Sequence, residues 1–217
     1  MTMMIICVQL GDMRRSALCD VQAKVFEEEE QPGDKSFFSE IIASISDVKF
    51  TSDGRYIVAR DYLTLKIWDV KMETRPVKTI QIHEHLRPKL CDLYENDCIF
   101  DKFECVVSPD GKFFATGSYS NYLQIYDRTG RNDVVIEATS SPRKGNGATV
   151  KPKVNVDLSS IDFSRKAMNL AWHPSESILA VCGLVRFFGL DTECALCFCN
   201  LTEIVCAFQN NLYLYAR

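Results

Sequence analysis

The chain has few histidines, few tryptophans and no unbroken apolar sequence of membrane-spanning length. Only His83, His85 and His173 occur in 217 residues, which narrows the acid–base and metal chemistry available. No stretch reaches the roughly 18 uncharged apolar residues of a transmembrane helix. The longest apolar region, residues 178–208, is broken by Arg186, Asp191, Glu193 and Glu203. A basic excess is also missing. Lys and Arg number 25 against 29 Asp and Glu, a net charge of −4, so the chain carries no electrostatic footprint for nucleic acid. The apolar start, Met1 to Leu10, lacks a basic n-region and a small-residue cleavage site, so a secretory leader is not expected. The ten cysteines have no regular spacing, and four of them (Cys194, Cys197, Cys199, Cys206) crowd together. That argues against a disulfide framework and for a reducing compartment, the cytosol, with the nucleus as the alternative.

The patterns of common active sites are absent too. None of the ten cysteines has an arginine six positions later, as a cysteine phosphatase requires. There is no Gly-x-Ser-x-Gly elbow and no Gly-x-x-x-x-Gly-Lys-Ser/Thr phosphate loop. His83 and His85 would share one face of a strand, but two ligands make a poor metal site. Cys194, Cys197 and Cys199 lack a second ligand pair at a zinc spacing. No catalytic residue, metal site or cofactor is expected.

What the chain does have is repetition. Asp47 to Arg60 with Leu63 to Asp69, Phe103 to Gly117 with Tyr122 to Asp127, and Leu170 to Cys182 with Asn211 to Tyr215 read alike. Asp53-Gly54 and Asp110-Gly111 lie 57 positions apart, as do Asp12 and Asp69. Asp-Gly between apolar runs predicts a type I′ hairpin turn. The runs Tyr56–Ala59, Phe113–Thr116 and Ile178–Val181 read as strands buried on both faces. Four antiparallel strands per copy, closed by an aromatic–Asp dipeptide, describe a propeller blade. No amphipathic helix is expected; the only candidate is the acidic stretch around Glu27–Glu30. Residues 1–26 read as the end of one blade, 37–83 and 103–138 as whole blades, and 168–182 with 210–217 as a last one. Residues 183–209 read as an insertion without repeat pattern. The fold class is all-β, an incomplete propeller. Closure needs about four to eight blades, and an open stack exposes unpaired sheet edges, so a truncated copy of a longer protein is expected.

Several segments go beyond a generic repeat. Ser36-Phe-Phe-Ser-Glu-Ile-Ile42, Ser46-Asp-Val-Lys-Phe50, Arg60-Asp-Tyr-Leu63, the run Leu93 to Cys105 and Ala171-Trp-His-Pro174 resemble the 55 kDa WD-repeat regulatory B subunits of protein phosphatase 2A. Gly11 to Arg14 and Ser16 to Asp20 match as well. The resemblance covers about residues 8–182 and 210–217, the C-terminal half of that family's protein. It implies about three to three and a half of seven WD blades. It implies no enzymatic activity, but a regulatory subunit that recruits phosphoprotein substrates to a catalytic subunit held on a scaffold subunit. Neither nucleic acid nor membrane is an implied partner. A generic WD-repeat interaction scaffold and an inert or competing fragment are the alternatives.

Long connections fall at residues 27–40, 84–102 and 139–160, all expected on one propeller face, where binding usually resides. Leu90 to Glu104 sets Asp92, Glu95, Asp97, Asp101 and Glu104 against Lys102, with Tyr94, Phe100 and Phe103 interleaved. Carboxylates mixed with aromatics suit basic peptide segments. The resemblance places Phe37, Phe38, Tyr94, Asp97, Phe100 and Lys102 in the recruitment platform. Phe37 and Phe38 read equally well as blade-packing residues. The basic stretch Arg143 to Lys153 reads as a solvated loop. Trp68 and Trp172 read as core, and Asp69 and Asp127 as turn hydrogen-bonding residues.

Overall fold

A computed structural model describes residues 7–12, 14, 23–28, 36–129, 133–137, 161–176, 178–185, 194–200 and 204–207. They fall into two compact units, Met1–Lys102 and Phe103–Arg217. All the strand pairings between named strands are antiparallel.

The first unit holds a two-stranded sheet of β1 (Val8–Leu10) and β2 (Lys24–Phe26). Beside it stands a four-stranded sheet in chain order, β3 (Asp47–Phe50), β4 (Tyr56–Arg60), β5 (Thr64–Asp69) and β6 (Lys78–Gln81). Ile57, Val58, Ala59 and Arg60 are all buried, so β4 is covered on both faces as its apolar run required. On one face Val8 and Phe26 pack on Ile57, Ala59 and Trp68, with the Phe26 and Trp68 rings edge to face at 5.8 Å.

The second unit holds two four-stranded sheets. One is β7 (Cys105–Val107), β8 (Phe113–Gly117), β9 (Tyr122–Asp127) and β10 (Val134–Glu137). The other is β11 (Arg165–Trp172), β12 (Ile178–Val185), β13 (Cys194–Asn200) and β14 (Ile204–Ala207). Val106, Ala115, Leu123 and Ile125 of the first close on Ala167, Leu170, Leu179 and Val181 of the second. Main-chain bonds stitch the seam. Ala167 N–H donates to the Ser118 carbonyl and Glu104 N–H to the Met168 carbonyl, both at 3.0 Å. The Glu104 carboxylate accepts from Leu170 N–H at 2.9 Å and from Asn169 Nδ2 at 3.0 Å.

The hairpins differ from the expected type I′ turn. Thr51 N–H reaches the Tyr56 carbonyl at 3.0 Å, and Gly54 N–H the Thr51 carbonyl at 2.9 Å. The loop is therefore four residues long, and only its glycine is left-handed: Gly54 has φ 65° and Gly111 φ 68°. Local side chains account for the longer loop. Thr51 Oγ1 donates to Asp53 Oδ1 at 2.5 Å and accepts from Tyr56 N–H at 3.0 Å. Ser108 repeats this with Asp110 and Phe113. In the third copy His173 Nδ1 takes the place of the hydroxyl and accepts from Glu176 N–H at 3.1 Å. A side chain that satisfies turn amides favours this geometry over a two-residue loop.

The last sheet also differs. Its third and fourth strands, β13 and β14, come from within residues 183–209, the segment read as an insertion. The run Cys194 to Asn200 is continuously apolar up to its last residue, and such a run pairs as a strand without a repeat signature. The expected third strand, Asn211 to Tyr215, lies outside the described residues. Trp68 is buried as expected, whereas Trp172 is only half-buried. Asp69 accepts from Lys71 N–H at 2.9 Å and Asp127 from Thr129 N–H at 2.9 Å, the turn roles expected of them.

Gly117 marks the tightest approach in the seam. A Cβ there would stand 1.8 Å from the Ala167 carbonyl oxygen, which is itself fixed in β11. Gly117→Ala should therefore force the two sheets apart and destabilise the second unit by roughly 1–3 kcal/mol, as overpacking does. Urea denaturation followed by tryptophan fluorescence (Trp172 lies in that unit) checks it, with Gly11→Ala, where nothing stands within 4 Å, as the neutral control.

Candidate functional site

The connection after β6 is helical, not the irregular loop expected. A 3₁₀ segment, Glu84–Lys89, leads into helix α2 (Leu90–Glu95) and a 3₁₀ turn, Cys98–Phe100. Leu86, Leu90, Leu93 and Ile99 point inward and are buried. The spacing of Leu86, Leu90 and Leu93 is the i, i+4, i+7 pattern of an amphipathic helix, a signal obscured by Pro88 and the surrounding charges. On the other side, helix α1 (Ser39–Ala43) follows Phe37 and Phe38. Its end is tied to the blade where Tyr62 N–H donates to the Ile42 carbonyl at 3.1 Å. This short helix was not expected either.

These two segments bring four rings together. Phe37 meets Phe38 at 5.2 Å and Tyr94 at 5.6 Å between centroids, both edge to face. Phe38 lies 5.9 Å from Tyr94, and Phe100 lies 5.8 Å from Tyr94. Edge-to-face pairs at such distances are favourable beyond the area they bury. Three of the four stay open to solvent: Phe37 is 73% exposed, Phe100 44% and Tyr94 40%. Phe37 is thus no blade-packing residue, while Phe38 is half-buried. Asp97 takes the left-handed conformation, φ 58°, at the start of the turn that presents Phe100. Asp97 and Lys102 are both exposed; Asp97 joins the ring-bearing residues through its backbone, donating its N–H to the Tyr94 carbonyl at 3.2 Å and accepting from Phe100 N–H at 3.3 Å. Phe103 is buried, as the core reading had it.

A cleft of about 1160 Å³ opens beside α1, with Phe38, Glu27, Glu28, Glu40, Asp61 and Lys66 among its walls. Lys66 Nζ bridges Glu28 at 2.9 Å and Asp61 at 3.6 Å. Glu27 and Glu28 are exposed, consistent with a solvated stretch. Glu29, Glu30 and the basic stretch Arg143 to Lys153 lie outside the described residues.

Asp61 and Thr64 of the cleft wall belong to a buried polar turn that sequence reasoning missed. Arg60 has no exposed surface. Its Nη1 donates to the carbonyls of Asp61 at 2.6 Å and Thr64 at 3.0 Å. Asp61 accepts from the amides of Leu63 at 3.0 Å and Thr64 at 2.6 Å. His83, equally buried, sits with Nδ1 3.0 Å from the Tyr62 carbonyl and 3.3 Å from Arg60 Nη2. His83 follows β6 and caps the 3₁₀ segment instead of lying in a strand, so the shared strand face imagined for His83 and His85 does not exist. No cluster of three metal-ligating groups occurs among the described residues.

Burial, then the Arg60 charge, then His85 hold the His83 imidazole well below its ordinary pKa, and burial lowers His85 as well. Below about pH 6.5 the unfolded chain takes up protons that these folded histidines refuse. Stability should accordingly be full above that pH and fall as pH drops through the range below it. The midpoint of urea unfolding at pH 7.5 against pH 5.5 measures this. His83→Gln should flatten the dependence, leaving the smaller share due to His85.

With this geometry in view, comparison with known proteins is informative. The family "WD domain, G-beta repeat" matches residues 102–127. The chain is similar to serine/threonine-protein phosphatase 2A regulatory subunit phr2AB of Dictyostelium discoideum, 54% identical over 187 residues, covering 80% of this chain and 39% of that protein. It is also similar to the beta isoform of the serine/threonine-protein phosphatase 2A 55 kDa regulatory B subunit of Carassius auratus, 51% identical over 187 residues, covering 80% and 41%. Over that stretch the chain is a homologue of the phosphatase 2A 55 kDa regulatory B subunits. It spans about two fifths of the length of these relatives. Among solved structures, "Structure of U3-55K" aligns with a TM-score of 0.46 at 14% identity, covering 76% of this chain and 39% of that one.

Proposed function

We propose that the chain is a non-catalytic, substrate-recruiting element of a protein phosphatase 2A assembly, and that the ring cluster of Phe37, Phe38, Tyr94 and Phe100 is its contact surface. The observation that carries this reading is the exposure of the rings. Aromatic groups normally end in a core, yet three of these four keep 40 to 73% of their surface exposed, beside buried Leu86, Leu93 and Ile99. Solvent-facing aromatic clusters on a rigid base are typical hot spots for protein partners. Asp97 on the same turn and Lys102 just after it supply charges that orient a partner. The partner class is a phosphoprotein segment with apolar side chains for the rings. Its dephosphorylation would be carried out by a catalytic subunit on a scaffold subunit, with this chain raising the local concentration of substrate. The cytosol is the proposed compartment.

Phe37, Tyr94 and Phe100 are solvent-facing, so truncating them leaves the fold intact. In a full-length context, replacing Tyr94, Phe100 and Lys102 together with alanine should weaken phosphoprotein capture by at least about tenfold, the effect of losing one or more hot-spot side chains. Assembly with scaffold and catalytic subunits should be unchanged. A pull-down read for both substrate and scaffold checks it; undiminished capture would refute the surface, and lost assembly would reassign it.

A further inference from the structure

The ring cluster is carried by two segments, and both are fastened to one turn. Phe37 and Phe38 lead into α1, where Ile42 N–H donates to the Phe38 carbonyl at 2.9 Å. The Ile42 carbonyl in turn accepts from Tyr62 N–H at 3.1 Å. Tyr62 belongs to the connection between β4 and β5, residues 61–63. Tyr94 and Phe100 are carried by the helical connection that His83 opens. His83 N–H donates to the Leu63 carbonyl at 3.0 Å, and the His83 carbonyl accepts from Leu86 N–H at 2.8 Å. Arg60, Tyr62, Leu63 and His83 are each 3% exposed or less, so the junction is dry.

The His83 side chain adds a tie that packing alone does not require. An imidazole buried beside a guanidinium is costly unless its nitrogen is used. Nδ1 lies 3.0 Å from the Tyr62 carbonyl and 3.3 Å from Arg60 Nη2. With its proton on Nδ1 the ring donates to the Tyr62 carbonyl. With the proton on Nε2 it accepts from Arg60, whose Nη1 holds the carbonyls of Asp61 and Thr64. Either tautomer ties the imidazole to the same turn. The Tyr62 ring closes on it edge to face at 5.8 Å. Three of the four cluster rings are exposed, so their mutual placement follows the two segments that carry them.

We infer that His83 is a positioning residue for the ring cluster. Through Nδ1 it locks the segment bearing Tyr94 and Phe100 to the turn that already holds α1. It thereby sets the distance from those rings to Phe37 and Phe38. The effect on capture rests on the cluster being the contact surface; the effect on ring geometry does not.

Two variants of the full chain separate this role from simple pocket filling. His83→Asn places an amide where Nδ1 stood, whereas His83→Gln places it one bond further out, at the position of Nε2. A 3-fluorotyrosine introduced at Tyr94 reports ring geometry, because neighbouring rings shift its fluorine resonance. The expected result is the parent resonance in His83→Asn and a move toward the free amino acid's value in His83→Gln. Hydrogen exchange should split the same way. The Tyr62 and Leu86 amides stay slow in His83→Asn and quicken in His83→Gln, while the amides of β5 stay slow in both and show the sheet folded. A fluorescein-labelled phosphoserine peptide with flanking leucines, followed by anisotropy, should bind His83→Gln about tenfold more weakly than His83→Asn, the worth of one hot-spot contact. An unmoved resonance in His83→Gln, or equal displacement in both variants, would overturn the proposal. If β5 exchange quickens in His83→Gln, His83→Asn decides alone: a parent-like resonance supports the tether and a displaced one overturns it. A split in resonance with equal peptide binding would support the tether and overturn the contact-surface reading.

Discussion

Strands β4 and β8 are buried on both faces, and much else follows from the need to cover them. β4 illustrates the constraint: four of its five residues are buried, so neighbours must close on it from both sides. Within the second unit the demand is met by sheet on sheet, with branched side chains from β7, β8 and β9 interdigitating with β11 and β12. The approach is close enough that Gly117 has no room for a Cβ.

Function in such a scaffold sits on the connections, where a side chain can be held outward without uncovering a core strand. The helical connection after β6 spends Leu86, Leu90, Leu93 and Ile99 on anchoring itself. Having been fixed, it holds Tyr94 and Phe100 outward against Phe37 and Phe38. The buried turn of Arg60, Asp61 and His83 steadies the connection between β4 and β5. It satisfies the amides and carbonyls of the β4–β5 connection, where an unpaired buried polar group would cost about 1–3 kcal/mol. A recruiting surface of this kind needs no perturbed acid or base.

Much of the strand pattern was legible because β-sheets write themselves locally. Alternation, aromatic–Asp strand ends and Asp-Gly turns recur at a fixed interval and need no knowledge of distant contacts. The turn geometry was less so: Thr51 and Ser108 stretch the loop to four residues by hydrogen bonds that depend on side-chain placement. The helices α1 and α2 were missed because they are five and six residues long, too short to declare a period. The strands within residues 183–209 carried no repeat signature that could announce them. A repeat signature was sought where a plain apolar run sufficed to pair.

The order of amino acids alone specified the antiparallel blades, the absence of catalytic motifs, and the candidate aromatics as residue types. Short-range patterning and composition encode all three. That Phe37 and Phe38 reach Tyr94 and Phe100 across more than fifty residues of chain was set by folding. So too was the dry pocket that Arg60 and His83 share. Whether a side chain is covered depends on which segments meet over it, and that is settled by packing between sheets and connections far apart in the chain.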